Sequence, residues 1–160
     1  MTETRWLDTQ EMRVWEVFLA ASALVDREIE RHLRSEGLSH PQYETLVRLS
    51  AAPQGRLRMT ELAAALYTSK SGLNYQVGRL EQAGLVRREA ADADDRGVVA
   101  VLTAAGRERL AEVAPGHVAT VRRALIDVLN AEQRRAVAEG LGAVVAELGG
   151  TDRGRPTPDR

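Results

Sequence analysis

The chain has 160 residues, 44% of them hydrophobic and 4% aromatic, and its 22 basic and 23 acidic side chains leave a formal net charge of −1. This length favours one domain with extensions around an aliphatic core, and the charge is unlike that of a nonspecific nucleic-acid binder. The lack of cysteine excludes disulfides, thiolate zinc sites and thiol redox sensing. Without a signal peptide or a membrane-length apolar run, we expect a cytoplasmic protein with no membrane partner.

The first part of the chain predicts a long helix. Between Thr9 and Ser35, apolar side chains recur every three or four residues, which is the spacing of an amphipathic helix. Gly37 is expected to end it. This stripe is long for a small domain to cover, so we interpret part of it as a subunit interface, the alternative being intrachain core. A second helix is expected from Pro41 to Ser50, with Ser39 as its N-cap.

The next segment predicts two short helices joined by a tight turn. The first is expected at Glu61–Leu66, with Thr60 as its N-cap, and the second at Lys70–Ala83, with Ser69 as its N-cap. Gly84 then suits a left-handed position that closes the second helix. This order of elements is that of a helix-turn-helix.

The second of these helices has an apolar and a polar face. Leu73, Val77 and Leu80 fall on one stripe, and the opposite face carries side chains of the types that contact bases and phosphates in a major groove. Taken alone, an ordinary exposed polar face is an equal alternative. The hypothesis assigns DNA contacts to Ser69, Lys70, Ser71, Asn74, Tyr75 and Arg79, and a phosphate contact to Thr60 and the helix start behind it.

Two strand-like runs follow the helix-turn-helix. Val86–Glu89 and Val98–Leu102 flank a charged loop at Ala90–Gly97, a pattern typical of a β-hairpin. A hairpin of this size is not stable alone, so it must lean on the helices as a wing. The segment Leu57-Arg58-Met59 is expected to be extended and to pair with it.

The wing contributes three further candidate contacts. Arg96 in the loop is expected to enter a minor groove, where the negative potential attracts arginine. Asp94 could pair with Arg96 and hold it in place, and Arg87 is expected to contact a phosphate. The alternative is a plain solvated turn.

The remaining chain predicts helices. Thr103 is expected to cap a helix from Ala104 to Leu129 that Pro115-Gly116 kinks or interrupts, and Asn130 to cap a last helix, Ala131–Leu148, ended by Gly149-Gly150. The predicted fold class is mainly α with a small β-hairpin: a winged helix-turn-helix domain plus a helical dimerisation body. We divide the chain into an N-terminal dimerisation helix (1–36), a DNA-binding domain (37–103), C-terminal dimerisation helices (104–149) and a disordered tail (150–160).

Four segments also point to a known family. They are LSHPQYETLVRLS from Leu38, MTELAAAL from Met59, RLEQAGLVRRE from Arg79, and DADDRGVVAVLTAAGRERL from Asp92. These segments resemble the MarR-type (multiple antibiotic resistance regulator) winged helix-turn-helix repressors. The D-x-R-G pattern at 94–97, with Leu-Thr at 102–103 and Gly-Arg at 106–107, is the most specific part, and the resemblance covers residues 9–148.

The resemblance implies a homodimer whose two winged units meet the halves of a pseudo-palindromic operator on double-stranded DNA. It implies repression of a nearby operon and release of DNA when a small aromatic or phenolic ligand binds. It places the family's wing arginine at Arg96, its wing aspartate at Asp94 and its groove-reading helix at Ser69–Ala83. Many members carry Thr-Arg where this chain has Asn74-Tyr75. This departure predicts a different operator, in which Asn74 could read adenine.

A ligand pocket and two rival functions complete the interpretation. The pocket would lie where the long helix meets the second one, lined by Trp15, Phe18, Ser22, His40 and Tyr43, with core packing as the alternative. The first rival is an enzyme, but the chain shows no metal-ligand spacing, catalytic triad or phosphate loop, and no cofactor is expected. An approach of His32 to His40 that binds a metal is a minor alternative. The second rival is a winged-helix protein-interaction module that has lost DNA binding, which the acidic wing would suit.

Overall fold

The computed structural model of the protein describes residues 4–91 and 97–151. This part of the chain is mostly helical with a small three-stranded antiparallel sheet, as predicted, and none of its helices is long and apolar enough to cross a membrane. The predicted wing contacts Asp94 and Arg96 and most of the predicted tail lie outside the described residues. In chain order the elements are α1 Thr9–Ser35, α2 His40–Ala51, β1 Arg56–Arg58, α3 Met59–Ala65, α4 Lys70–Gln82, β2 Val86–Ala90, β3 Val98–Leu102, α5 Ala104–Val121 and α6 Ala131–Thr151.

Local side-chain chemistry sets the ends of the first two helices. Asp8 accepts the backbone N–H groups of Gln10 and Glu11, each at 2.8 Å, and the Glu11 carboxylate accepts the N–H of Asp8 at 2.9 Å. This capping box starts α1 at Thr9. Gly37 ends the turn after α1 with φ +76°, and Ser39 caps α2 as predicted.

The start of α3 differs from the prediction. Thr60 is not the N-cap, because α3 begins at Met59 and Arg58 is the capping residue. The carboxylate of Glu61 accepts the backbone N–H of Arg58 at 3.3 Å, so a group inside the first turn satisfies the cap instead of the Thr60 hydroxyl. Strand β1 runs directly into the helix, so the residue that caps α3 is the last residue of the strand.

The sheet has the order β1-β3-β2, with both pairs antiparallel. Ala100 of β3 lies between Leu57 of β1 and Arg88 of β2. The predicted pairing of the short extended segment with the wing is therefore confirmed, although Met59 belongs to α3. The backbone N–H of Ala91 donates to the carbonyl of Gly97 at 2.9 Å, which closes the base of the wing.

The core joins the helix-turn-helix to the end of α1 and to α2. Its fully buried side chains come from the five helices α1–α5 and from strands β2 and β3, and burying each large apolar one contributes on the order of 1.5–3 kcal/mol. The leucines and valines of this core that expose 1% or less of their surface are Leu33, Leu46, Leu49, Leu62, Leu73, Val77, Leu80, Val86 and Val113. The predicted apolar stripe of α4 is therefore confirmed as the side that faces the core.

A small group of contacts docks α5 onto the wing. The Thr103 hydroxyl donates to the carbonyl of Gly84 at 2.7 Å and accepts the N–H of Gly106 at 3.0 Å. A Cβ at Gly106 would lie 2.1 Å from the carbonyl oxygen of Leu85, so only glycine fits there. The Leu-Thr and Gly-Arg motifs thus have a packing role at the junction of α4, β2 and α5.

The structure corrects two interruptions predicted for the C-terminal helices. Pro115 does not interrupt α5, which runs on to Val121. The carbonyl that Pro115 leaves without a helical donor belongs to Ala111, which is exposed, so water can satisfy it. The irregularity comes later, as a π-helical turn at Arg122–Ile126.

The end of α6 also differs. The Gly149-Gly150 pair does not end this helix, which continues to Thr151. Glycine weakens a helix without forbidding it. A Cβ at Gly149 would lie 3.4 Å from the ring of Tyr67, so this glycine lies against the turn between α3 and α4. Asn130 caps α6 as predicted, with its side-chain oxygen accepting the N–H of Gln133 at 2.9 Å.

Candidate nucleic-acid interface

Helix α4 presents its predicted polar face to solvent. Ser69 caps the helix by accepting the backbone N–H of Gly72 at 3.1 Å, and its hydroxyl lies 3.2 Å from that of Ser71. The side chain of Tyr75 is 66% exposed. The predicted contact residues on this helix and at its N-cap are all exposed: Ser69, Lys70, Ser71, Asn74, Tyr75 and Arg79. The geometry brings these residues together on one accessible surface.

The wing strand β2 places its two arginines differently. Arg87 forms an ion pair with Glu89 at 2.7 Å and remains accessible. Arg88 instead crosses to α4, where it meets the carboxylate of Glu81 at 3.3 Å and donates to the backbone carbonyl of Asn74 at 2.9 Å. Alternate residues of a strand point to opposite faces, and the two arginines follow this rule.

Three basic residues near the wing were not assigned a DNA contact in the sequence prediction. Arg56 and Arg58 lie on β1, and Arg56 forms an ion pair with Glu89 at 3.4 Å. A Cβ at Gly97 would lie 3.3 Å from a guanidinium nitrogen of Arg58, which places this group at the base of the wing. Arg88 is the third. The Arg-Leu-Arg alternation of β1 could have indicated the first two, since a strand puts both arginines on one face.

Thr60 is exposed at the second position of α3. It lies next to β1, so the two arginines of β1, the start of α3 and the base of the wing adjoin one another. Glu89 pairs with both Arg56 and Arg87 in this region, so the arginines beside the wing are partly neutralised.

Of the five predicted pocket residues, His40 belongs to the lining of the cavity between α2 and the α3–α4 turn, and the other four do not. The rings of Trp15 and Phe18 are stacked with centroids 6.2 Å apart, and both, like Ser22, are exposed on α1. Tyr43 is buried, with its ring centroid 4.2 Å from that of His117 on α5. The Nδ1 of His40 lies 2.9 Å from the carboxylate of Asp26.

His40 forms part of the α2 wall of this cavity. This cavity of about 340 Å³ separates α2 from the turn between α3 and α4. A basic and an acidic group, Arg48 and Glu44, share its α2 wall with His40. The turn contributes Tyr67, which has φ +50°. The full lining is His40, Pro41, Glu44, Thr45, Arg48, Ala65, Leu66, Tyr67, Thr68, Leu73 and Gln76.

Three histidines gather where α1, α2 and α5 meet. A Cβ at Gly116 would lie 2.7 Å from the His32 ring, and the ring centroids of His40 and His117 are 6.4 Å apart. Burial lowers the pKa of His117 below the ordinary histidine value; His40 and His32 lower it further, and Glu44 opposes them. Within residues 4–91 and 97–151, no three His, Cys, Asp or Glu side chains are arranged to hold a metal ion.

A helix-turn-helix flanked by a wing, with a polar reading face on its second helix, defines a winged helix-turn-helix transcriptional regulator that binds DNA. The MarR family model matches residues 36–97. Similar solved structures include AbsC of Streptomyces coelicolor, which is 42% identical, with 92% of this chain and 99% of that chain covered and a TM-score of 0.87. Sco3205 of the same organism, in complex with DNA, is 42% identical, with 91% of each chain covered and a TM-score of 0.85. The chain belongs to the MarR family.

Similarity also extends to a ligand-bound family structure. The Rv2887 protein of Mycobacterium tuberculosis, in complex with p-aminosalicylic acid, is 29% identical. The alignment covers 81% of this chain and 95% of that chain, with a TM-score of 0.61.

The lowered pKa of His117 predicts how stability depends on pH. The unfolded chain takes up the proton at the ordinary histidine pKa, whereas the folded chain takes it up only at lower pH. Acidification below about pH 6.5 therefore favours unfolding. We expect the free energy of unfolding in urea to fall between about pH 7.5 and pH 5.5, and to fall less in His117→Gln. Equal pH dependence in the two proteins would contradict this assignment.

Proposed function

We propose that the protein is a homodimeric, sequence-specific transcriptional repressor that binds a pseudo-palindromic operator. The observation that carries this proposal is the exposed polar face of α4, held beside the wing with its apolar side in the core. A major groove admits one helix, and side chains near the start of that helix reach the base edges. The DNA complex of Sco3205 supports the same use of the fold here. DNA as partner implies a cytoplasmic location.

The residues of the interface divide into readers and anchors. Asn74 reads a base, with adenine as the best match for a bidentate amide. Tyr75 contacts a thymine methyl or a phosphate, and Ser69 and Ser71 position the helix start. Phosphates are bound by Lys70, Arg79, Arg87 and the start of α3 at Thr60, and the wing enters the minor groove through Arg96 beside Asp94.

Homodimerisation follows from apolar surface that one chain leaves uncovered. The apolar side chains of α1 before Val25 are all exposed, and only the later ones join the core. On α6 a second stripe is exposed, from Val137 at 39% to Leu148 at 66%. Exposed apolar surface of this extent marks an interaction site. A second copy of the chain would cover both stripes and set two α4 helices about 34 Å apart, the spacing of successive major grooves.

Repression is the outcome that this arrangement supports. A dimer of this size covers both halves of an operator on one face of the duplex and competes with other proteins for the same DNA. The described residues between α1 and α6 form the winged helix-turn-helix and the helices α2 and α5 that pack against it.

Release by a small aromatic acid is the proposed control. The p-aminosalicylic acid complex of Rv2887 supports this ligand class. The proposed ligand contacts are Trp15, Phe18 and Ser22 on α1 and Tyr43 and His40 on α2. Of these residues, His40 also lines the cavity beside the α3–α4 turn. A carboxylate in that cavity would meet Arg48, and its ring would contact the turn that leads into α4. Occupancy would thereby disturb the reading helix.

Selection of bound sequences from a random duplex library, at two salt concentrations, tests the proposal directly. We expect a pseudo-palindrome with half-sites one helical turn apart. Asn74→Ala should lose about 1–3 kcal/mol of discrimination at one base of each half-site. Lys70→Ala should reduce the slope of log affinity against log salt by about 0.9 per protomer. Arg135→Ala removes a cation from α6 and serves as the control. No enriched sequence from an intact dimer would favour the protein-interaction alternative.

A matched pair of α6 variants tests the dimer. Leu141→Glu places a charge in the exposed apolar stripe, whereas Ala146→Glu places one on the opposite face of α6, which it shares with Glu139. Both positions are exposed within one chain, so neither change affects the core. Sedimentation equilibrium should show a dimer for the wild type and for Ala146→Glu, and a monomer for Leu141→Glu. A dimer in all three would locate the interface elsewhere.

A panel of aromatic acids tests ligand control. A binding acid should raise the melting temperature by mass action and lower affinity for the selected operator. Trp15→Ala and Arg48→Ala, both at exposed positions, separate the two sites: loss of response in the first assigns the ligand to the α1 pocket, and loss in the second to the cavity beside the turn. If no acid moves either readout, the protein is not controlled by this ligand class.

A further inference from the structure

Arg88 ties the wing to the reading helix in a way that neither base reading nor phosphate binding requires. One guanidinium nitrogen donates to the backbone carbonyl of Asn74 at 2.9 Å, and the other lies 3.3 Å from the carboxylate of Glu81. The same carboxylate accepts the backbone N–H of Arg88 at 3.0 Å. Three contacts therefore connect one residue of β2 to two turns of α4.

The surface of α4 beneath Arg88 is shaped for this contact. Asn74, Gly78 and Glu81 follow one another at the spacing of neighbours on one helix face. A Cβ at Gly78 would lie 3.7 Å from a guanidinium nitrogen of Arg88, so the guanidinium group lies across the glycine between its two partners. A larger side chain at this position would compete with the guanidinium group for that space.

The effect of this contact is geometric more than energetic. The side chains of Arg88 and Glu81 are 33% and 39% exposed, and an ion pair that accessible contributes little to the free energy of folding. The two guanidinium nitrogens of Arg88, however, bond in different directions from one planar group. Together they fix the orientation of Arg88 on α4 as well as its distance from the helix. Arg87, one residue earlier, is 57% exposed and has no such link to α4 among the contacts described.

We propose that Arg88, together with Glu81, is a positioning residue that sets the angle between the wing and α4. Because its acceptor is the backbone of Asn74, the clamp holds the proposed base reader and the wing in one rigid unit. The wing and α4 then already have the relative orientation in which they contact a duplex, so binding does not lose entropy in ordering one against the other. The DNA part of this inference rests on the proposed function; the rigidity of the clamp does not.

Distance measurements without DNA test the clamp itself. The chain has no cysteine, so nitroxide labels can be placed at Gln82→Cys on α4 and Val98→Cys on β3, both exposed. Labelled chain mixed with excess unlabelled chain confines both labels to one protomer. We expect a narrow distance distribution in the otherwise wild-type protein and in Arg87→Gln, and a broader one in Arg88→Gln and Glu81→Gln. A distribution in Arg88→Gln as narrow as in Arg87→Gln would overturn the proposal.

Operator binding then separates positioning from phosphate contact. Arg88→Gln should reduce discrimination at the base assigned to Asn74 about tenfold and leave the salt slope unchanged, whereas Arg87→Gln should lower the slope by about 0.9 per protomer and keep the discrimination. Arg88→Lys replaces the planar guanidinium group with a single ammonium group. Its discrimination at that base should therefore lie between those of the wild type and Arg88→Gln. A lowered salt slope in Arg88→Gln would make Arg88 a phosphate contact. If the wild type selects no operator, the proposed function fails, while the distance measurement still decides the clamp.

Discussion

The burial of one side of α4 is the constraint on which the rest of the structure depends. Leu73, Val77 and Leu80 are almost fully buried, so rotating the helix about its axis would bring apolar surface into water at about 25 cal/mol per Å². That cost fixes which side chains face outward. Burial of the apolar side is therefore sufficient to expose the polar face. The axial position is set by the Ser69 cap and by Gly84, whose φ is +73°.

How far the sequence predicts the fold depends on how local each interaction is. The bounds of α1, the Ser39, Ser69, Thr103 and Asn130 caps and the buried stripe of α4 could be predicted, because each rests on side chains within about one or two turns of one another. The start of α3 could not, although its capping contact is also local, because Thr60 is a preferred N-cap residue type whereas the observed cap, Arg58, is the end of a strand. The course of α5 through Pro115 and of α6 through Gly149 also depends on surroundings: the exposed Ala111 in one case and the ring of Tyr67 in the other.

The candidate site also contains residues that the local sequence pattern predicts and residues whose position depends on packing. Its exposed residues on α4 follow from helical period alone, but the path of Arg88 does not. Two adjacent arginines in a strand look equivalent in the sequence, and only the pleat decides that Arg87 faces solvent and Arg88 faces α4. Packing also decides where the predicted ligand residues lie. Tyr43 is buried against His117 of α5, whereas His40, one turn earlier on α2, reaches the cavity beside the α3–α4 turn.

Helix α2 is the element through which the dimer body and the reading unit would influence each other. On one side, Tyr43 lies against His117 of α5. On another, His40, Glu44 and Arg48 line the cavity beside the α3–α4 turn. Helix α2 also contacts α1, α3 and α4, so a displacement of α2 is passed to the elements packed against it. A ligand in the cavity, or a shift in the dimer body that moves His117, would therefore act on the same helix. Since α4 begins directly after this turn, movement of α2 reaches the reading face without passing through the wing. Because Arg88 holds the wing to α4, the wing would move with it.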